Sequence, residues 1–208
     1  MIGLQVGGSI LGHAMRSHVR LFAWYRTLPL FAVLLVGAIS FLYSYAPPML
    51  FQMLYPLKYE DRIKEASQTY GIDPYLVAAV IKTESNWDPE ASSHKGAQGL
   101  MQLMPETAND IIAQGLIDGN TYSADNLTDP DTNIEFGCAY LAYLIRYFNG
   151  ATDKAIAAYN AGMGNVEDWT KEGDALHNAI TFPETQAYLA RVNMAQQRYR
   201  ELYPEAFL

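Results

Sequence analysis

Asp73-Pro74-Tyr75-Leu76-Val77-Ala78-Ala79-Val80-Ile81-Lys82-Thr83-Glu84 is the stretch on which the reading of this 208-residue chain turns. Asp73 before Pro74 is a helix N-cap followed by proline at the first helical position, where the missing N–H costs nothing. Leu76, Val77, Val80 and Ile81 then recur at the spacing of one helix face. The next step of that face falls on Glu84, so a carboxyl group stands where the pattern predicts an apolar side chain. Outward from this helix the same period continues in both directions. Ile63, Ala66 and Tyr70 form the stripe of a preceding helix that Gly71 stops. Pro105 opens another, through Ile111 and Ile112 to Gly115. Asp129-Pro130 opens a fourth, with Ile134, Cys138, Leu141, Leu144, Ile145 and Phe148 as its stripe and Asn149-Gly150 as its end, and this one reads as the central buried helix. A shorter helix is predicted over 154–159 and a long one from Pro183 to about Leu202. No run alternates strictly enough to be a strand, so the fold class is all-α.

Charge divides the chain into two parts. Residues 1–57 hold Arg16, Arg20 and Arg26 and no acidic residue, whereas residues 58–208 carry all 22 Asp and Glu and a net charge of −11. From Thr27 to Leu57 nothing is charged, and the centre of that run, Leu30 to Leu42, is almost wholly apolar. A helix needs roughly 20 such residues to cross a bilayer. The expected organisation is a short basic tail over 1–27, a transmembrane anchor and linker over 28–57, and one domain over 58–208. Arginines before the run place the N-terminus in the cytoplasm and the acidic domain outside; Trp24, Tyr25, Tyr43 and Tyr45 flank the run as interfacial aromatics would. Two other readings stand beside it. Ser44-Tyr45-Ala46 has the small-residue spacing of a signal-peptidase site, although Pro47-Pro48 would hinder cleavage, and Pro29 with Pro47-Pro48 would also bound a soluble hairpin.

Composition removes several function classes. A net charge of −8 leaves no whole-chain basic field for nucleic acid. Cys138 alone supports neither a disulfide framework nor a multi-cysteine zinc site, and on the inner stripe of its helix it reads as a small buried hydrophobe. His94 and His177 lack a second ligand at metal spacing, so no metal and no cofactor are expected. Glu84 is the chemical candidate: burial disfavours its charged form and so does the negative end of its own helix, and a carboxylic acid protonated near neutral pH is a general acid. The alternative is a helix-end glutamate turned to water.

The segments around Glu84 carry a resemblance. Glu84-Ser85-Asn86-Trp87 leads into Gly96-Ala97-Gln98-Gly99-Leu100-Met101-Gln102-Leu103-Met104-Pro105, followed later by Ala158-Tyr159-Asn160-Ala161-Gly162 and by Glu184-Thr185 with Tyr188. Over about residues 58–203 this order resembles the catalytic domain of the family 1 soluble-type lytic transglycosylases, which implies a lysozyme-like fold. It further implies cleavage of the MurNAc–GlcNAc β-1,4 bond of peptidoglycan glycan strands with formation of a 1,6-anhydromuramic end. Glu84 matches the family's catalytic carboxylate, acting as acid and then as base, while the substrate's acetamido group stabilises the intermediate. Such substrate assistance removes the need for the second carboxylate of ordinary glycosidases. The resemblance makes Ser85, Gly99, Met101, Gln102, Tyr159, Asn160 and Glu184 substrate-site residues: Ser85 near the acid, Gly99 allowing close approach of a sugar, Met101 a subsite wall and Gln102 a donor to it, Tyr159 beside Glu84, and Glu184 at the cleft floor.

Each of these has a plainer reading. Ser85 is also a helix C-cap hydroxyl, Leu100 to Met104 also read as core, and Glu184 also suits a helix N-terminus. Met163 departs from the proline that many relatives carry after Ala-Tyr-Asn-Ala-Gly, which concerns only that loop. Asp88 and Glu90 lie in a loop and are not expected to be a second catalytic acid; the activities kept as alternatives are a hydrolytic muramidase, for which the search for a second carboxylate would start at Asp88, and a non-catalytic peptidoglycan-binding module. Partners in wall or secretion machinery are not legible.

Overall fold

The structure, a computed structural model, describes residues 24–45, 48–171 and 175–208, with side chains over 27–42, 50–171 and 175–208. The expected basic tail with Arg16 and Arg20 lies outside the described residues, as do the side chains of Arg26 and of the four flanking aromatics. Contacts divide the chain into two units, residues 1–46 and 47–208.

In the first unit α1 runs Trp24–Tyr45 with Pro29 inside it. Its described side chains, over 27–42, are all exposed, Phe31 at 71% and Val33 at 69%. Among the described residues no helix is long and apolar enough to cross a membrane.

The second unit holds α2 (Pro48–Leu54), α3 (Glu60–Tyr70), α4 (Pro74–Glu84), α5 (Pro105–Ala113), α6 (Pro130–Tyr147), α7 (Thr152–Ala161), α8 (Met163–Thr170), α9 (Leu176–Ala179) and α10 (Pro183–Leu202). Among the described residues pairing of extended backbone is limited to isolated bridges of Ser92 with Gln98 and Gln98 with Leu103. The helix punctuation follows the sequence. Gly71 ends α3 in the left-handed region (φ 66°), Asp73 caps α4 by accepting from the Tyr75 N–H, and Asp129 caps α6 by accepting from the Thr132 N–H. Three helices were not predicted: α2 sits inside the run read as anchor and linker, α8 buries only Val166 and so has no apolar stripe, and α9 is a single turn.

Two helices make the centre of this unit. Eleven of the eighteen residues of α6 are buried, Cys138 among them, and α4 is buried on every side from Leu76 to Ile81. The expectation of a single central helix, α6, is therefore corrected. Ala78 and Ala79 are buried on the side of α4 opposite the leucine and valine stripe, and among the described residues α4 with α10 is the most extensive helix pair. A buried aromatic pair fixes the chain on either side of α4: the Trp87 indole N–H donates to the Tyr199 hydroxyl (2.8 Å), which donates to the Pro56 carbonyl (3.0 Å). Between α3 and α6 the buried Glu135 accepts from Arg62 and from the Tyr70 hydroxyl (2.7 Å), satisfying a charge that would otherwise be costly to bury.

Candidate active site

Glu84 is the last residue of α4, and the packing that buries the rest of that helix also takes its carboxyl largely out of water. Desolvation, the largest effect, raises its pKa from 4.5 to about 7, against the opposing pull of a hydrogen bond from Tyr188 and of the Arg191 charge. The Tyr188 hydroxyl donates to Glu84 Oε1 at 2.7 Å. Burial, then the Glu84 charge, holds the Tyr188 and Tyr159 hydroxyls well above their ordinary range, so both are protonated donors. Among the described residues the charged group that acts on Glu84 is Arg191. Asp88 is exposed and accepts from the Glu90 N–H within its own turn (3.0 Å).

The irregular segment after Glu84 is shaped from beneath by Asn133 of α6. This fully buried side chain donates to the Gln98 carbonyl (2.9 Å) and the Leu127 carbonyl (2.7 Å) and accepts from the Met101 N–H (2.7 Å). Gly99, at φ 75°, lies against that clamp: a Cβ there would collide with the Leu127 carbonyl oxygen and the Asn133 amide. Internal packing by itself therefore requires glycine at 99. The non-glycine residues Asn86, Trp87 and Gln102 also have positive φ, 52°, 68° and 48°, a concentration of disfavoured backbone around the carboxyl.

A cleft of about 530 Å³ opens over Glu84, with Gln102, Tyr159, Asn160 and Glu184 along it, together with Lys95, Met104 and Phe182. Five of the eight sequence-designated residues therefore meet there: Glu84, Gln102, Tyr159, Asn160 and Glu184. The other three do not line it. The Ser85 hydroxyl donates to the Ile81 carbonyl (3.2 Å), the plain helix-end role. Met101 is fully buried and packs where Gly137 leaves space for its sulfur, so the expected subsite wall is instead core, whereas Met104, three residues on and read as core, is at the cleft. Gln102 turns its amide N–H groups to the Ala91 and Gly99 carbonyls (both 3.0 Å), leaving Oε1 free and making it an acceptor toward the cleft instead of the expected donor. Tyr159 donates to the Met101 carbonyl (2.8 Å), so the hydroxyl bonded to Glu84 belongs to Tyr188 and not to Tyr159. Asn160 accepts from the Thr185 hydroxyl (2.8 Å), which leaves its N–H groups available. Tyr188 was signalled by its position one turn after Glu184; Asn133, by an amide inside the apolar pattern of α6.

The chain matches the transglycosylase SLT domain family over residues 61–181 and belongs to that family. It is 36% identical over 152 residues to the soluble lytic murein transglycosylase of Escherichia coli K12, covering 70% of this chain and 23% of that protein. It is 35% identical over 167 residues to the membrane-bound lytic murein transglycosylase C of Cronobacter sakazakii, 69% of this chain and 46% of the relative. The crystal structure of the 70 kDa soluble lytic transglycosylase SLT70 of E. coli superposes with a TM-score of 0.68 at 34% identity over 73% of this chain and 25% of that one. The fold of the second unit is accordingly the all-helical, lysozyme-like SLT fold, and the chain spans less than half the length of these relatives.

Proposed function

We propose that this chain is a lytic transglycosylase that cuts the MurNAc–GlcNAc β-1,4 bond of peptidoglycan with one carboxyl group. The observation that carries this reading is Glu84: a desolvated acid with a pKa of about 7, oriented by Tyr188, at an open cleft. Near neutral pH such a group is present in both protonation states, as a residue that must first give and then take a proton requires. Protonated Glu84 donates to the glycosidic oxygen as the bond from the muramic anomeric carbon breaks. The substrate's acetamido oxygen stabilises the cation that forms. Glu84, now a carboxylate, removes the proton of the muramic 6-hydroxyl, whose oxygen bonds to the anomeric carbon and closes the 1,6-anhydro ring. Gln102 Oε1 and the Asn160 N–H groups bind the sugars from the two sides, Glu184 contributes its charge at the edge, and Ser85, Gly99 and Met101 serve from behind by holding the wall in shape.

The membrane anchor belongs to the same proposal. The 22 residues of α1 rise about 33 Å at 1.5 Å each, close to the thickness of a hydrocarbon core. Its described side chains all face outward, the arginines precede it, and a relative of this chain carries the description membrane-bound. The domain after it then lies outside the cytoplasm.

The test is mass spectrometry of muropeptides released from purified peptidoglycan by the full chain, with Glu84→Gln in parallel. Anhydro ends that vanish in the variant are expected. Reducing ends would make the enzyme a hydrolytic muramidase, and release by neither protein would favour a binding module. Retention with membranes through an alkaline wash is expected of the anchor, and release would refute it.

A further inference from the structure

The short helix α2 is apolar on two sides. Phe51 and Tyr55 face α10, Phe51 beneath the Arg198 guanidinium (5.2 Å) and Tyr55 edge-on to Tyr199 (5.8 Å). Leu50, Met53 and Leu54, at the i, i+3, i+4 spacing of a second face, are 51%, 78% and 56% exposed. Met194 of α10, 63% exposed, shares a cavity of about 190 Å³ with Tyr55, Lys82 and Arg191. Gln52 is the polar residue of α2, and exposed apolar side chains grouped in this way are ordinarily covered. Cations border the patch: Lys82 and Arg191 form no ion pair among the described residues, and Arg198 is paired with Glu201 at 2.9 Å.

The geometry points to this face of α2 and α10 as a surface that lies on an anionic lipid bilayer. Charge complementarity selects the occupant: in a domain of net charge −11 the apolar patch is bordered by Lys82 and Arg191, the arrangement of an interfacial helix rather than of a neutral protein contact. Membrane insertion of α1 would bring the domain to a bilayer, and to that extent the inference rests on the anchor proposed above. Glu184 and Met194 are ten residues apart on α10, about 15 Å along its axis, so docking would hold the cleft at a set, short distance above the lipid, facing strands next to the membrane.

The test uses the full chain reconstituted into phosphatidylglycerol-containing vesicles, with a fluorophore on single introduced cysteines. Cys138 is fully buried and stays unlabelled. Labels at Met53→Cys and Met194→Cys are compared with one at Ser123→Cys, in the exposed loop between α5 and α6, for blue shift and for quenching by lipids with a headgroup-level quencher. Quenching at 53 and 194 but not at 123 is expected, with Lys82→Gln plus Arg191→Gln weakening the docked state about 30-fold, roughly fivefold per cation. Labels at 53 and 194 that remain as solvated as that at 123 would overturn the docking. A blue shift without lipid quenching would also overturn it, by assigning the face to a second copy. An alkaline wash applied afterwards reads the anchor separately: unquenched protein retained in the vesicles refutes docking alone, whereas quenched protein released by the wash upholds docking and refutes the span.

Discussion

Replacing Glu84 by Gln should make the protein more stable at neutral and alkaline pH while removing its activity. Glutamine keeps the shape and an oxygen that accepts from Tyr188, but it does not ionise. In the wild type the folded-state pKa is about 7 against 4.5 for the free group, so the folded state binds the proton more tightly than the unfolded state does. Below pH 4.5 both states are protonated and the carboxyl contributes no penalty. Between pH 4.5 and 7 wild-type stability falls as the unfolded chain releases the proton first, and above 7 the loss is complete. At 1.36 kcal/mol per pKa unit the full penalty is about 3 kcal/mol. For a chain of this size that corresponds to roughly 6–12 °C in Tm. Urea and thermal unfolding of both proteins at pH 4, 6 and 8, followed by circular dichroism, would show a difference near zero at the lowest pH and close to its maximum at the highest. A difference independent of pH, or a variant less stable at pH 8, would mean that Glu84 is not desolvated and would remove the physical basis for its role as an acid.

The two tyrosines at the site should separate cleanly. Tyr188→Phe deletes a bond to the Glu84 charge worth about 1.5–3 kcal/mol, so the alkaline limb of the pH–activity profile should move up by about 1–2 units; a downward move would contradict the assignment. Tyr159→Phe removes only the bond to the Met101 carbonyl, so the same limb should stay in place. Asn133→Ala leaves the Gln98 and Leu127 carbonyls and the Met101 N–H without their partner and should cost about 3 kcal/mol or more in urea unfolding. Gly99→Ala, forced into a left-handed backbone against the Leu127 carbonyl, should destabilise comparably; wild-type unfolding in that variant would show that the loop relaxes freely.

Glu84 was legible because a helix repeats: once Leu76, Val77, Val80 and Ile81 define a face, the next residue on it is known without any tertiary information. Asp73, Gly71 and Asp129 were legible for the same local reason, since caps act within a few residues. Tyr188 stood in the quoted motif, but its bond to Glu84 was not legible, because the hydroxyl reaches the carboxyl only through the crossing of α4 and α10, 104 residues apart in sequence. The segment 99–104 defeats periodicity altogether. Its backbone turns at Gly99 and again at Gln102, both with positive φ, so neighbouring side chains point in unrelated directions: Met101 inward over Gly137, Met104 to the cleft, and the Gln102 amide back onto its own loop. α2 was hidden because an apolar run does not mark where one helix stops and the next begins.

The Trp87–Tyr199–Pro56 chain of hydrogen bonds has a mechanical consequence. Tension on the N-terminal part of the chain would enter the second unit along residues 48–57, where the Tyr55 carbonyl is held by Tyr203 and the Pro56 carbonyl by Tyr199. From there it passes through Tyr199 to Trp87, three residues beyond Glu84 and itself held in a left-handed conformation. A pull strong enough to part Pro56 from Tyr199 would therefore slacken the turn that follows the acid before it unravelled α4, and under the proposed function cutting would stop while the domain is still folded.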